Sequence, residues 1–125
     1  RVIPTFTLQA LRGNDITVFG DGSQTRSFCH VSDMIEGIYR LMISDYILPI
    51  NLGNPDEITI LELARYIKEI TNSESKITFH PLPENDPKTR KPDVSKAKKI
   101  VGWEPKVSFE KGIKEFIKWL RKIID

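Results

Sequence analysis

The stretch Thr17-Val18-Phe19-Gly20-Asp21-Gly22-Ser23-Gln24-Thr25-Arg26 decides how this chain is read. The β-branched and aromatic residues from Ile16 to Phe19 suit a pleated, half-buried surface, and a second such run goes from Arg26 through Phe28 and Cys29 to Val31. Asp-Gly between two β-prone runs predicts a hairpin, because the turn needs positive φ and glycine takes it without steric cost. The hairpin would hold Arg26 beside an exposed strand whose backbone edge could read a flat ring. That pairing suits an anionic ligand with a nucleobase attached.

On the N-terminal side, Thr5 to Arg12 reads as a short helix with Phe6 and Ala10 inward and Gly13 as its stop. Pro4 stands near its first turn, where the missing N–H costs little. On the C-terminal side, Ser32 is the expected N-cap of a helix from Asp33 to Ser44, with Met34, Ile35, Ile38, Leu41 and Met42 at helical spacing. Pro49-Ile50-Asn51 reads as a short strand leaving through Leu52-Gly53-Asn54-Pro55. Thr59-Ile60-Leu61-Glu62 is a capping box that announces a helix to about Thr71, with Ile60, Leu63, Ala64, Ile67 and Ile70 inward. Lys76 to His80 is a strand by composition. Pro81 to Pro92 is rich in proline and charge, a long surface loop of the kind that often carries function. Ser95 to Val101 forms a short helix ended by Gly102, Trp103-Glu104-Pro105 turns the chain, and Ser108 caps a last helix from Phe109 to Ile124. The expectation is an α/β fold, a small mixed sheet with flanking helices.

Composition narrows the function. With 125 residues the chain is one domain or a piece of one. A hydrophobic share of 39% with 29% charged residues is that of a soluble globular protein. The net charge of +2 is too small for the dense basic stripe that nucleic acid requires. The single cysteine, Cys29, excludes an internal disulfide and fits a reducing compartment. No apolar run approaches the ~20 residues of a membrane span, and no secretory leader is seen, so the cytoplasm is the expected location. The chain opens at Arg1 as though entered midway.

Arg26 and Arg90 are the first candidates for binding chemistry. A diphosphate calls for planar, permanently charged, multidentate donors, which guanidinium supplies better than lysine. Set against this, most arginines are simply solvated. Asn51 could offer its amide to a phosphate or bond its own turn. Phe19 could stack on a base, although strand aromatics are more often core. Cys29 reads as a small buried hydrophobe. His30 and His80 lack further ligands at metal-binding spacing. Gly20-Asp21-Gly22 fails as a dinucleotide fingerprint, since Thr25 stands where the third glycine belongs and a strand, not a helix, is expected to follow.

Taken in order, the first helix, the Ile16 to Phe28 segment, His30-Val31-Ser32-Asp33, Asn51-Leu52-Gly53-Asn54, Asp86-Pro87-Lys88-Thr89-Arg90-Lys91-Pro92-Asp93 and Gly102-Trp103-Glu104-Pro105 resemble the C-terminal part of an extended short-chain dehydrogenase/reductase. That family holds NAD-dependent nucleotide-sugar epimerases, 4,6-dehydratases and decarboxylases. The Asp86 to Asp93 run is most similar to UDP-glucuronate decarboxylases, then to dTDP-glucose 4,6-dehydratases. The resemblance covers residues 1–125 and implies a nucleotide-sugar-binding lobe with the N-terminal Rossmann half absent. It implies that Arg26 and Arg90 hold the diphosphate of a UDP- or dTDP-sugar, that Thr17 and Phe19 line the pyrimidine largely through backbone groups, and that Asn51 lies near the phosphates. It also implies that Val2 contacts the nucleotide.

Such enzymes pair an NAD-binding turn with a catalytic Tyr-x-x-x-Lys. Here Tyr39, Tyr46 and Tyr66 are followed four places on by Ile43, Ile50 and Ile70. No catalytic residue is therefore assigned, no NAD is expected on this chain, and the chain alone is expected to be inactive. It reads as a fragment, a truncated frame, or half of a split enzyme whose Rossmann-type part is a separate chain. The alternative is a stand-alone nucleotide-binding or protein-interaction module that lacks the catalytic half. Without its usual neighbour the helix from Asp33 to Ser44 should leave Met34, Ile38 and Leu41 partly exposed, and homo-oligomers through that face are expected.

Overall fold

The computed structural model of the chain describes residues 1–83, 87 and 91–124. Along them run α1 (Val2–Leu11), β1 (Ile16–Phe19), β2 (Thr25–Arg26), α2 (Val31–Met42), β3 (Ile58–Thr59), α3 (Ile60–Ile70), β4 (Ile77–His80), α4 (Ser95–Val101) and α5 (Phe109–Ile124). The α/β class is as expected. The strands, however, form two separate pairs: β1 with β4 in parallel, and β2 with β3 antiparallel.

The expected hairpin is therefore corrected, since β1 and β2 do not pair. Glycine does bend the chain, with Gly20 at φ 67° and Gly22 at φ 77°, but Asp21 stays at negative φ. A two-residue hairpin turn of the favoured type needs positive φ at both central positions. What forms instead is a loop with a different task. Gly22 C=O accepts from Leu61 N–H at 3.0 Å and Gln24 C=O from Ile60 N–H at 3.0 Å. These are the first two amides of α3, which have no partner inside the helix. Thr59 Oγ1 takes the third from Glu62 N–H at 3.1 Å, and its hydroxyl donates to Glu62 Oε1 at 2.8 Å, so Thr59 caps the helix as read while the carboxylate closes on the hydroxyl. A Cβ on Gly22 would stand 2.7 Å from Leu61 Cβ, so only glycine lets the loop close on α3.

The chain divides into two units. One comprises Arg1–Arg26, Ile58–Thr89 and Ile117–Asp125, the other Ser27–Glu57 and Arg90–Phe116. In the first, α1 and α3 pack on β1, and the core is Phe6, Ala10, Ile16, Val18, Leu63, Ala64 and Ile67. Thr7 is also fully buried, its hydroxyl donating to Ile3 C=O at 2.8 Å. Helix α1 starts at Val2, so Pro4 lies in its first turn, and Gly13 follows it at φ 72°.

In the second unit the expected strand at Pro49 to Asn51 is absent, and residues 27–30 are irregular. The N-cap of α2 is also corrected, from Ser32 to His30, whose Nδ1 accepts from Ser32 N–H at 3.2 Å. This places an imidazole acceptor where an oxygen is commoner. Helix α4 ends as read, at Gly102 with φ 67°. Ser108 Oγ accepts from Lys111 N–H at 3.2 Å at the start of α5, which begins in this unit and ends in the other. The buried residue on which this unit turns is Trp103, whose Nε1–H donates to Asp33 C=O at 2.8 Å. Gly37 makes the room, since a Cβ there would lie 3.0 Å from the indole.

Candidate functional site

Strand β1 has two unlike edges. Ile16 N–H donates to Lys76 C=O at 2.8 Å and Gly20 N–H to His80 C=O at 2.7 Å, so even-numbered residues face β4. Thr17 and Phe19 turn their backbone groups the other way. On that outer edge Thr17 N–H donates to Gln9 Oε1 at 3.1 Å, and Gln9 Nε2 donates to Thr17 Oγ1 at 3.0 Å. At the other end Gln24 Nε2 donates to Phe19 C=O at 2.9 Å. Between the two amides lie Thr17 C=O and Phe19 N–H, to which no hydrogen bond is made among the described residues. An acceptor and a donor side by side fit a planar ring that carries the opposite pair.

The Phe19 ring is 47% exposed, contrary to the usual core position of a strand aromatic, and its centroid lies 6.1 Å from that of His80. Arg26 sits on β2 opposite Ile58, half-buried, its Nη1 donating to Thr25 C=O at 2.7 Å. Val2 is the first residue of α1 and half-buried. Four of the six site residues read from the sequence, Val2, Thr17, Phe19 and Arg26, thus belong to the first unit.

Asn51 belongs to the second unit and is exposed. Its neighbour in the same motif makes the bonds: Asn54 Nδ2 donates to Phe28 C=O at 3.0 Å, and Asn54 Oδ1 accepts from Asp56 N–H at 3.0 Å. Gly53 admits the Pro92 ring, which a Cβ would meet at 2.8 Å. Ser27, Cys29, Met34, Leu52, Gly53, Asn54, Lys91 and Pro92 line an open cleft of about 580 Å³. Cys29 is half-buried rather than buried, and burial first, then the Asp33 carboxylate, push its thiol above the ordinary range. Arg90 lies outside the described residues. Among the described residues no three His, Cys, Asp or Glu side chains could hold a metal ion, and no helix is long and apolar enough to cross a membrane.

Sequence reading missed Gln9 and Gln24. Glutamine on a helix or in a polar turn carries no signal of its own; the one clue is spatial, that Gln24 is buried with its amide aimed at a strand.

Comparisons with known proteins place the family and the fold. The GDP-mannose 4,6 dehydratase family matches residues 1–116. The chain is 50% identical over 122 residues to UDP-glucuronic acid decarboxylase 4 of Arabidopsis thaliana, covering 98% of this chain and 28% of the relative. It is 47% identical over 125 residues to UDP-glucuronic acid decarboxylase 1 of Danio rerio, covering all of this chain and 30% of the relative. The chain thus spans less than a third of these two relatives' length. Among solved structures, UDP-glucose 4-epimerase of Thermotoga maritima with UDP-glucose superposes with a TM-score of 0.96 at 32% identity, over 100% of this chain and 40% of that one. UDP-glucuronic acid 4-epimerase of Bacillus cereus, in complex with UDP-glucuronic acid and NAD, gives 0.86 at 27% identity, over 96% and 40%. The chain belongs to the GDP-mannose 4,6 dehydratase family, within the short-chain dehydrogenase/reductase group of NAD-dependent nucleotide-sugar decarboxylases and epimerases.

Proposed function

We propose that this chain is the nucleotide-sugar-binding part of an NAD-dependent enzyme that decarboxylates, dehydrates or epimerises a UDP- or dTDP-sugar through transient oxidation at C4. The observation that carries the reading is the open edge of β1, where Thr17 C=O and Phe19 N–H offer a planar pyrimidine one acceptor and one donor. Arg26 and Arg90 hold the diphosphate, and Val2 and Asn51 complete the contacts to the nucleotide and phosphates. The relatives' names support the substrate class, since they act on UDP-glucuronic acid.

NAD, when bound, supplies the hydride acceptor. The residues present do not fit its pyrophosphate: after Gly20-Asp21-Gly22 comes β2, not a helix whose N-terminal amides could cradle phosphate. We therefore assign NAD and the Tyr-x-x-x-Lys chemistry to the length of the relatives that this chain does not span, supplied by a Rossmann-type partner chain where the two are separate. In this reading the chain alone is catalytically inactive and works in the cytoplasm.

Calorimetry with UDP and dTDP tests the reading. The chain should bind one or both, and Arg26→Ala and Arg90→Ala should each weaken binding by about 1.5–3 kcal/mol, the worth of a charged hydrogen bond to phosphate. Unchanged affinity in both variants, or no binding of either nucleotide by the unsubstituted chain, would overturn it. Turnover restored by a Rossmann-type chain with NAD and a UDP-sugar would separate the split enzyme from a stand-alone binding module.

A further inference from the structure

We infer that Gln9 and Gln24 are positioning residues that shape the β1 edge for a single planar ring with adjacent donor and acceptor, and close it to a paired β-strand. The inference rests on the pyrimidine-edge reading above and deepens it.

A bare strand edge presents a row of alternating N–H and C=O groups and accepts another strand as readily as a ligand. On the outer edge of β1 that row is Thr17 N–H, Thr17 C=O, Phe19 N–H and Phe19 C=O. The two end groups are taken: Gln9 Oε1 holds Thr17 N–H at 3.1 Å and Gln24 Nε2 holds Phe19 C=O at 2.9 Å. Both glutamines are themselves fixed. Gln9 is doubly bonded to Thr17, its Nε2 reaching Thr17 Oγ1 at 3.0 Å, and Gln24 is 6% exposed. A strand needs groups along the whole edge and finds only the central two. A pyrimidine imide needs only those two, an N–H for Thr17 C=O and a carbonyl for Phe19 N–H.

The amides also hold the edge straight. Freed of Gln9, Thr17 N–H would seek water or compete for the ligand's carbonyl, and the two-point match would lose its register. The glutamines thus act on the ring through the backbone, without touching it.

The test compares UDP with its N3-methyl derivative, which lacks the ring N–H but keeps the diphosphate, on the full chain. Affinity would be followed by amide NMR shifts of Thr17 and Phe19. The unsubstituted chain should favour UDP by about tenfold, one neutral hydrogen bond. In Gln9→Leu the preference should shrink to about twofold or less, while pyrophosphate binding and the melting temperature, read alongside, separate a lost register from a lost fold. Gln24→Met repeats the test from the other end of the edge should Gln9→Leu not fold. A tenfold preference kept in a folded variant would overturn the positioning role. Equal affinity for the two nucleotides in the unsubstituted chain would show instead that the edge does not read the base, and the reading on which this inference rests would fall with it.

Discussion

Asp33 is 7% exposed, and its Oδ2 accepts from the amides of Lys106 at 2.9 Å and Val107 at 2.8 Å, while its carbonyl takes Trp103 Nε1–H. One acidic residue in the first turn of α2 thereby pins the segment after α4. Nothing in the residue type announced this; an acidic first-turn residue reads equally as a partner for the helix dipole. Asp33→Ala should lower stability by about 3 kcal/mol, because two amides lose a charged acceptor, and urea unfolding would measure it. Cys29 gives a second residue-scale prediction. Its thiol is held protonated by burial and by Asp33, so the folded form favours the neutral group. Alkylation by iodoacetamide at neutral pH should run slower than for a free cysteine, with the gap closing as pH rises through the shifted value. Equal rates at neutral pH would count against it. The stability this protonation contributes is present below the unfolded thiol range and lost as pH climbs through the folded one.

At the scale of elements, local chemistry and long-range pairing parted company at the expected hairpin. The Thr59 N-cap, the glycine end of α4 and the Ser108 start of α5 formed as read, because each is settled within four residues. The hairpin did not, because strand pairing is a contest between edges far apart in the chain. Ile77–His80 offers β1 a four-residue parallel ladder, and Ile58–Thr59 takes β2. The glycines kept their conformational role and changed their purpose, from reversing a hairpin to seating the start of α3. Gly22→Ala follows from this: a Cβ 2.7 Å from Leu61 Cβ, at φ +77°, should cost about 1–3 kcal/mol and loosen the first turn of α3. Hydrogen exchange at Ile60 and Leu61 would report the local loss, and unchanged protection would refute it.

At the scale of the whole molecule, α2 carries an apolar face that its own unit leaves open. Val31, Ile35, Ile38, Tyr39 and Met42 are exposed, with Met42 at 77%. The partial exposure expected of Met34, Ile38 and Leu41 is found, with Ile38 exposed and Met34 and Leu41 half-buried. Gly37, whose bare Cα lets Trp103 pack, lies on the inward face. We propose that a second copy of the chain covers this face when the rest of the enzyme does not. Light scattering should show concentration-dependent self-association that Ile35→Glu abolishes; a monomer at high concentration would overturn the proposal.

By itself the sequence determined the α/β class, the helices and several of their ends, and the membership of a nucleotide-sugar enzyme family. Those rest on periodicity, on caps settled by near neighbours, and on ordered motifs such as Gly102-Trp103-Glu104-Pro105. Tertiary structure alone decided which strands pair, which side of α2 stays open, and that Gln9 and Gln24 leave one donor and one acceptor on β1. The reason is physical: a backbone edge has the same groups whatever the side chains. Which of those groups remain free depends on amides brought to it from residues 9 and 24, through folding that no local pattern records.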